Sequence, residues 1–238
     1  MKTVVIIPTY NEAENIKNII TKTFQVNNSL HILIVDDNSP DKTSEKVKQL
    51  QLSYTHNLHL ITRGGKYGLG SAYITGFKWA LKNKFTLICE MDADGSHNPK
   101  HINEFIKYAN QGYDVIIGSR RIKDGYIIGW NVFRHIASFS AMKFAKIFLN
   151  LKTEDITSGF RCYNRKIFDK INLDSIKSNG YAFQEEMIYL CEKNNFKIKE
   201  IPIVFTDRKK GKSKLSLKDI IEFFVVMIKL KINEYRKI

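Results

Sequence analysis

Phe85-Thr86-Leu87-Ile88-Cys89-Glu90-Met91-Asp92-Ala93-Asp94-Gly95 is the stretch that decides the fold class. Its first seven residues form an apolar run too short for a helix. The run stops abruptly at two carboxylates and a glycine. A short apolar run closed by a polar cluster reads as a strand buried on both faces. The same design recurs on the N-terminal side. Val4 to Ile7 is a short apolar run ended by Pro8, and His31 to Val35 runs into Asp36-Asp37-Asn38-Ser39-Pro40. Leu58 to Thr62 leads into the glycine-rich Arg63 to Gly70, and on the C-terminal side Asp114 to Gly118 leads into Ser119-Arg120.

Helical stretches fill the gaps between these strands. Asn11 to Phe24 carries Glu12 and Glu14 in its first turn, with Asn11 as its cap. Asp41 to Leu52 is the second, a helix ending at Leu81 the third, and Ile102 to Ala109, after Pro99, the fourth. Alternating β and α elements with short loops predict an α/β fold with a mainly parallel sheet flanked by helices. Ligands of such sheets sit beyond the C-terminal strand ends. The polar clusters at Thr9 to Glu12, Asp36-Asp37, Asp92 to Asp94 and Ser119-Arg120 all fall there, so they define one site.

Beyond Arg120 the pattern is less regular. Trp130 to Leu149 reads as a long, mostly apolar helix, Asn179 to Lys193 holds another, and Phe196 to Thr206 reads as one strand. Asp207 to Lys214 is a basic loop, and Ser216 to Ile232 is amphipathic. The uncharged centre of that last stretch, Phe223 to Ile228, is far shorter than the roughly 20 residues a bilayer requires. It suits a helix lying on a membrane or on a partner. The division expected is one domain over residues 1–214, with residues 215–238 as a C-terminal amphipathic helix.

The chain has 238 residues and a formal net charge of +14, which points to an anionic partner: nucleic acid, an anionic membrane face or phosphorylated small molecules. Cys89, Cys162 and Cys191 lack metal-ligand spacing and read as reduced thiols. With no signal-peptide pattern at the N-terminus, a cytoplasmic setting is expected.

Chemistry concentrates at the strand ends. Asp92 and Asp94, two residues apart after a strand, can share one side and hold Mg2+ or Mn2+, hard cations that take oxygen ligands. A lone DxD is equally a solvated turn. Ser96 and His97 lie close by; His97 is an alternative ligand but reads first as a hydrogen-bonding or packing residue. Glu12 and Asp37 suit recognition of a nucleotide base or ribose, and also suit helix and turn capping. Gly65 to Gly70 is followed by Ser71 where a phosphate loop needs Lys, so it reads as a loop meeting the next helix closely, with at most a minor anion role. Arg120, Arg134, Arg208 and Lys214 are the cations a diphosphate chemistry needs, although in so basic a chain any one of them is equally a surface charge.

Read together, IIPTYNEAENI (residues 6–16), VDDNSPDKT (35–43), GLGSAYITGFKWA (68–80), MDADGSHNP (91–99), GSR (118–120), SGFRCYNR (158–165), GYAFQEEM (180–187) and DRKKGKSKL (207–215) resemble the dolichol-phosphate (polyprenol-phosphate) mannosyltransferases. These are family 2 glycosyltransferases of GT-A fold, and the match covers nearly the whole chain. The first motifs mark only the broad family, whereas FQxEM and DRxxGxSKL are specific to the polyprenol-phosphate branch. The resemblance implies inverting transfer of mannose from GDP-mannose to a polyprenyl (dolichyl) phosphate. Pro8, Tyr10, Glu12, Val35 and Asp37 would hold the guanosine part. Asp92, Ala93 and Asp94 would bind metal and diphosphate, with Ser96 as the third metal ligand, where some members carry Gln. Arg208 and Lys214 would contact the diphosphate. Arg120 and Arg134, with Ser138, would grip the acceptor phosphate. Catalysis would then rest on Asp92, Asp94, Arg120 and Arg134.

The resemblance also implies Mg2+ or Mn2+ as cofactor, peripheral contact with the cytoplasmic face of a membrane, and room for a membrane-anchoring subunit. The Trp130 to Leu149 helix and the Ile220 to Leu230 stretch are candidate walls for the lipid tail. Another family 2 enzyme, such as a polyprenyl-phosphate glucosyltransferase or a polysaccharide glycosyltransferase, is the nearest rival. A nucleic-acid-binding protein is disfavoured, because acidic strand ends repel phosphate unless a metal intervenes. An inactive paralogue is disfavoured by intact Asp92, Asp94, Arg120 and Lys214.

Overall fold

The computed structural model of the chain describes residues 1–207 and 217–235. Seven strands form one sheet in the order β3-β2-β1-β4-β7-β5-β8. They are β1 (Thr3–Thr9), β2 (His31–Asp36), β3 (Leu58–Thr62), β4 (Leu87–Glu90), β5 (Val115–Ser119), β7 (Arg161–Asn164) and β8 (Ile198–Pro202). β6 (Tyr126–Ile128) and β9 (Val204–Thr206) form a separate two-stranded parallel ribbon. All pairings in the main sheet are parallel except those of β7, which runs antiparallel between β4 and β5.

The helices are α1 (Ile16–Val26), α2 (Thr43–Gln51), α3 (Leu69–Lys82), α4 (His101–Asn110), α5 (Val132–Leu149), α6 (Phe183–Lys193) and α7 (Leu217–Tyr235). Strand alternation sends successive side chains to opposite faces, and β1 shows the result. Val4 and Ile6 join an apolar layer with Tyr73 and Phe77 of α3 and Phe183 of α6. Val5 and Ile7 join the opposite layer with Ile16 and Ile19 of α1 and Phe105 of α4. Helices on both faces of a mainly parallel sheet are what the run from Phe85 to Gly95 and its neighbours predicted.

Several local expectations are corrected. β1 does not stop at Pro8 but runs through it to Thr9. Its pairing with β4 ends at Ile6, so the N–H that Pro8 lacks falls where no β4 partner remains. The first helix starts at Ile16 rather than Asn11, because Asn11 takes a left-handed conformation with φ 58°. The expected strand from Phe196 to Thr206 is two strands. Ile203 donates its N–H to Ser119 O at 3.0 Å, and β9 then leaves the sheet to pair with β6.

The expectation of three reduced thiols is also corrected. Cys89 of β4 and Cys162 of β7 stand directly opposite each other and are joined as a disulfide. Neither their 73-residue separation nor composition brings them together; the antiparallel placement of β7 does. Cys191 is a free, buried thiol, and burial pushes it up to about 12.

Candidate active site

Parallel register places the polar strand ends side by side. Pro8 of β1 pairs with Val35 of β2, and Thr9 with Asp36. Asp36 is fully buried and accepts from Thr9 Oγ1 at 2.7 Å, from the backbone and hydroxyl of Ser39 at 3.0 and 2.6 Å, and from Ser44 Oγ at 2.7 Å. It is a structural knot that ties β1, β2 and the start of α2 together. Val35 is buried in the apolar core and supports this edge from beneath.

Asp37 faces the glycine-rich loop. Arg63 Nε donates to its Oδ1 at 2.6 Å, Arg63 Nη2 lies 2.5 Å from the same oxygen, and the Tyr67 N–H reaches Oδ2 at 3.3 Å. Burial raises the Asp37 pKa, and the Arg63 cation offsets this only in part. Arg63 and the Tyr67 N–H thus fix the loop against Asp37. At its end Gly68 has φ +101°, and a Cβ there would stand 2.4 Å from Asn179 O. Gly70 donates its N–H to that same oxygen at 2.8 Å. The loop thus meets the 178–179 segment as well as α3. Glu12 is nearly buried, and its Oε2 accepts from Asn15 Nδ2 at 2.8 Å. Lys66 Nζ lies 4.8 Å over the Tyr10 ring, a cation–π contact beside the same edge.

β4 ends at Glu90, so strand alternation does not by itself orient Asp92 and Asp94. A tight turn does that work. Asp94 Oδ1 accepts the Ser96 N–H at 3.0 Å, and Gly95 takes φ +78°. His97 is buried against Phe160, with ring centroids 5.0 Å apart. Its Nδ1 accepts the Asp92 N–H at 3.2 Å, and burial holds the ring down to about 4. A neutral ring that props the Asp92 backbone is the hydrogen-bonding and packing role expected of it.

The donor set fits a hard divalent cation. Among the described residues no cluster of three His, Cys, Asp or Glu side chains is arranged to hold a metal. Asp92 and Asp94 nevertheless bring two carboxylates to one turn. Ser96 Oγ beside them is buried with no hydrogen-bond partner among the described residues. Mg2+ and Mn2+ are commonly bound through one or two carboxylates, with substrate phosphates and water completing the shell.

Beneath Asp92 lies a buried polar layer that the strand-end reading missed. Gln184 Nε2 donates to Glu90 Oε2 at 3.0 Å. Arg161, fully buried, donates to Gln184 O and Ile156 O, both at 2.7 Å. Burial pushes Glu90 up to about 8 and Glu185 to about 7, despite the nearby Arg161 cation. The only signal for Arg161, Gln184 and Glu185 was their place in SGFRCYNR and GYAFQEEM.

On the far side of β7, Arg120 follows β5. It donates its backbone N–H to Asp155 Oδ2 at 2.8 Å and closes its guanidinium on both Asp155 oxygens at 2.7 Å. Asp155 is fully buried. Burial would raise its pKa, but the Arg120 charge and hydrogen bonds hold it down at about 2. Arg134 lies in the first turn of α5, which Asn131 caps by accepting the Arg134 N–H at 2.8 Å. Its Nη1 meets Asp207 Oδ2 at 2.7 Å, and its guanidinium lies 4.2 Å over Trp130. Arg120 in turn packs 5.4 Å over Phe205, whose ring is 6.0 Å from Trp130. Sequence reasoning found both arginines but neither acid partner. Arg208 and Lys214 lie outside the described residues.

Pro8, Tyr10, Glu12, Asp37 and the Asp92–Asp94 turn thus crowd one edge, while Arg120, Arg134 and Ser138 gather around the start of α5. Comparison with known proteins gives the family. The model of glycosyl transferase family 2 matches residues 4–172. The chain is 39% identical over 221 residues to polyprenol monophosphomannose synthase of Mycolicibacterium smegmatis, covering 93% of this chain and 83% of that one. It is 37% identical over 216 residues to undecaprenyl-phosphate mannosyltransferase of Micrococcus luteus, covering 91% and 88%. A mannosyltransferase of Pyrobaculum calidifontis, solved with GDP-Man and Mn2+, superposes with a TM-score of 0.62 at 15% identity, over 96% of this chain and 64% of that one. That last likeness concerns the fold alone, a mainly parallel sheet flanked by helices of the GT-A kind. The chain therefore belongs to glycosyl transferase family 2, beside polyprenol-phosphate mannosyltransferases.

Proposed function

We propose that the chain transfers mannose from GDP-mannose to the phosphate of a polyprenol, with inversion at the anomeric carbon. The observation that carries this reading is the Asp92–Asp94 turn at the end of β4, with the Asp37 edge on one side and the arginines of β5 and α5 on the other. The names of the two relatives supply the sugar and the class of acceptor.

In this reading Pro8, Tyr10, Glu12 and Asp37 receive the guanosine part. Asp92 and Asp94, with Ser96, would hold Mg2+ or Mn2+, and Arg208 and Lys214 would meet the diphosphate. A bound divalent cation would neutralise charge on the leaving diphosphate. The acceptor phosphate is already ionised near neutral pH, so its attack needs no strong general base. The work left to the chain is in-line positioning and charge neutralisation. Arg120, held rigid by Asp155, and Arg134, held by Asp207, fix the cationic wall where the acceptor phosphate would sit.

The lipid tail calls for an apolar surface close by. α5 exposes Phe133, Ile136 and Phe139, and Phe144 lies 5.7 Å from Phe224 of α7. Among the described residues no helix is long and apolar enough to cross a membrane. We assign this exposed face to peripheral contact with the cytoplasmic side of a membrane, with or without an anchoring subunit. Residues 1–214 then form the catalytic domain, and residues 215–238 help to dock it.

The test is a transfer assay with radiolabelled nucleotide-sugars, a short polyprenyl phosphate, and Mg2+ or Mn2+. The expected product is polyprenyl phosphate mannose, formed from GDP-mannose and suppressed by chelator. Preferred transfer from UDP-glucose, or none to polyprenyl phosphate, would overturn the reading.

A further inference from the structure

Ahead of α6, the backbone N–H groups of Lys177, Ser178, Asn179 and Gly180 lie outside any helix or strand. Such groups need acceptors from elsewhere, and two glutamates on different helices supply them. Glu186 of α6 accepts the Lys177 N–H at 3.2 Å, the Ser178 N–H at 3.0 Å and Ser178 Oγ at 2.5 Å. Glu222 of α7 accepts the Asn179 N–H at 2.6 Å and the Gly180 N–H at 3.1 Å, both on Oε1. A carboxylate holds such donors more firmly than a neutral acceptor would. The carbonyl side of the same segment faces the glycine-rich loop, where Asn179 O accepts the Gly70 N–H at 2.8 Å.

From that loop the contacts lead to the Asp37 edge. Arg63 Nη2 donates to Gly68 O at 3.2 Å, its Nη1 to Ser71 Oγ at 2.6 Å, and its Nε to Asp37 Oδ1 at 2.6 Å. A continuous run of hydrogen bonds and close contacts thus joins Glu222 to Asp37 through the 179–180 segment. Its far end is well anchored. Val226, Met227 and Leu230 of α7 are buried in the same apolar layer as Phe183 and Met187 of α6. Tyr189 of α6 donates its hydroxyl to Leu230 O at 3.3 Å. Glu222 stands one turn before Val226, on the helix face that this packing fixes. The opposite face of α7, with Ile221, Phe224, Val225 and Ile228, stays exposed.

We infer that Glu222 is a positioning residue for the nucleotide: by holding Asn179 and Gly180, α7 braces the glycine-rich loop whose Arg63 sets Asp37. Glu222 acts through that loop and is given no contact with the nucleotide. The inference rests on the function proposed above, and gives α7 a part in donor binding besides docking. Removing the Glu222 charge would by itself favour an anionic nucleotide. A fall in affinity therefore has the sign of lost positioning and not of lost electrostatics.

The test is calorimetric binding of GDP and UDP to Glu222→Ala, Glu222→Met and Glu222→Gln, with kinetics in which donor and short polyprenyl phosphate are varied separately. Glu222→Met keeps the length of the side chain should Glu222→Ala fail to fold. Coupling through packed contacts predicts a loss of about five- to thirtyfold in nucleotide affinity for the Ala and Met variants, and a matching rise in donor KM. Glu222→Gln keeps an acceptor oxygen, so it stays within about twofold of wild type, as does the acceptor KM of every variant. Adding Arg63→Met to Glu222→Met costs little beyond Arg63→Met alone, because both break one chain of contacts. Leu230→Ala, which loosens α7 without touching Glu222, lowers Tm and leaves nucleotide affinity unchanged. Unmoved affinity in the Ala and Met variants overturns the inference, as does a Gln variant as weak as Ala. Additive losses in the double variant, or a loss shared equally by donor and acceptor, mark general destabilisation and also overturn it. A wild type that prefers UDP overturns the donor proposed above, and the same fold-changes read with UDP then decide the inference. A wild type that binds neither nucleotide overturns both.

Discussion

Replacing Asp155 with Asn should cost much of the stability that holds the end of β5 in place. Asp155 is fully buried and accepts three hydrogen bonds from Arg120, at 2.8, 2.7 and 2.7 Å. Its carboxyl sits at about 2 against an ordinary value of 3.8. At about 1.4 kcal/mol per pH unit, that gap corresponds to about 2–3 kcal/mol of stability. Because the folded value is depressed, this stability is fully present above about pH 4 and is lost as pH falls through about 2. The Asp155→Asn change would also leave the Arg120 cation buried without a counter-charge, which typically costs about 3–5 kcal/mol. For a chain of this size that predicts a fall in Tm of about 6–20 °C at neutral pH. Thermal and urea unfolding of Asp155→Asn, Arg120→Met and the double variant would measure it. The double variant removes both charges and should recover part of the loss. The gap between wild type and Asp155→Asn should stay constant from about pH 7 to about 4 and narrow below. A loss under about 1 kcal/mol, or a double variant no better than the worse single one, would refute the reasoning that Arg120 is a strut whose charge Asp155 neutralises.

Other expectations follow from the same geometry. Asp94→Ala should abolish transfer while leaving GDP-independent thermal stability near wild type; full activity of the variant in chelator would remove the metal from the scheme. Gly70→Ala would place a Cβ 2.7 Å from Ser178 O and 2.9 Å from Phe183 Cβ, so about 1–3 kcal/mol of stability should be lost in urea melts. Burial first, then the neighbouring His31 and Lys2, push His59 down to about 4 from 6.5. Its contribution to stability is present above pH 6.5 and lost as pH falls through about 4, so His59→Phe should flatten the stability profile across that window.

The two halves of the chain differ in how far they could be read, and the difference is physical. β1, β2, β4 and β5 announce themselves because each is an apolar run buried on both faces and closed by a polar turn, and the half-buried edge strand β3 by its apolar run before the glycine-rich loop. That pattern places the clusters around Asp37, Asp92 and Arg120 at one edge of the sheet, so the existence of a site is legible. β7 is not legible in the same way. It carries the buried Arg161 and a cysteine paired across the sheet, so its composition lacks the aliphatic run that marks its neighbours. β6 and β9 are three residues each, too short for any period to show.

What hydrophobic pattern cannot report is which charges meet. Arg63 with Asp37, Arg120 with Asp155 and Arg134 with Asp207 are joined across 26, 35 and 73 residues. Each pair is made by the topology and not by spacing. This matters for function, because a cation already closed on a carboxylate plays a different part from one that still lacks a counter-charge. Sequence motifs mark Arg120 and Arg134 as cations of one site without saying which of them are spent on holding it together. The structure supplies that division: Asp155 takes up the Arg120 guanidinium, and Asp207 that of Arg134. The GSR motif at residues 118–120 thus locates a cation, and only the topology shows that the Asp155 carboxylate holds it in place.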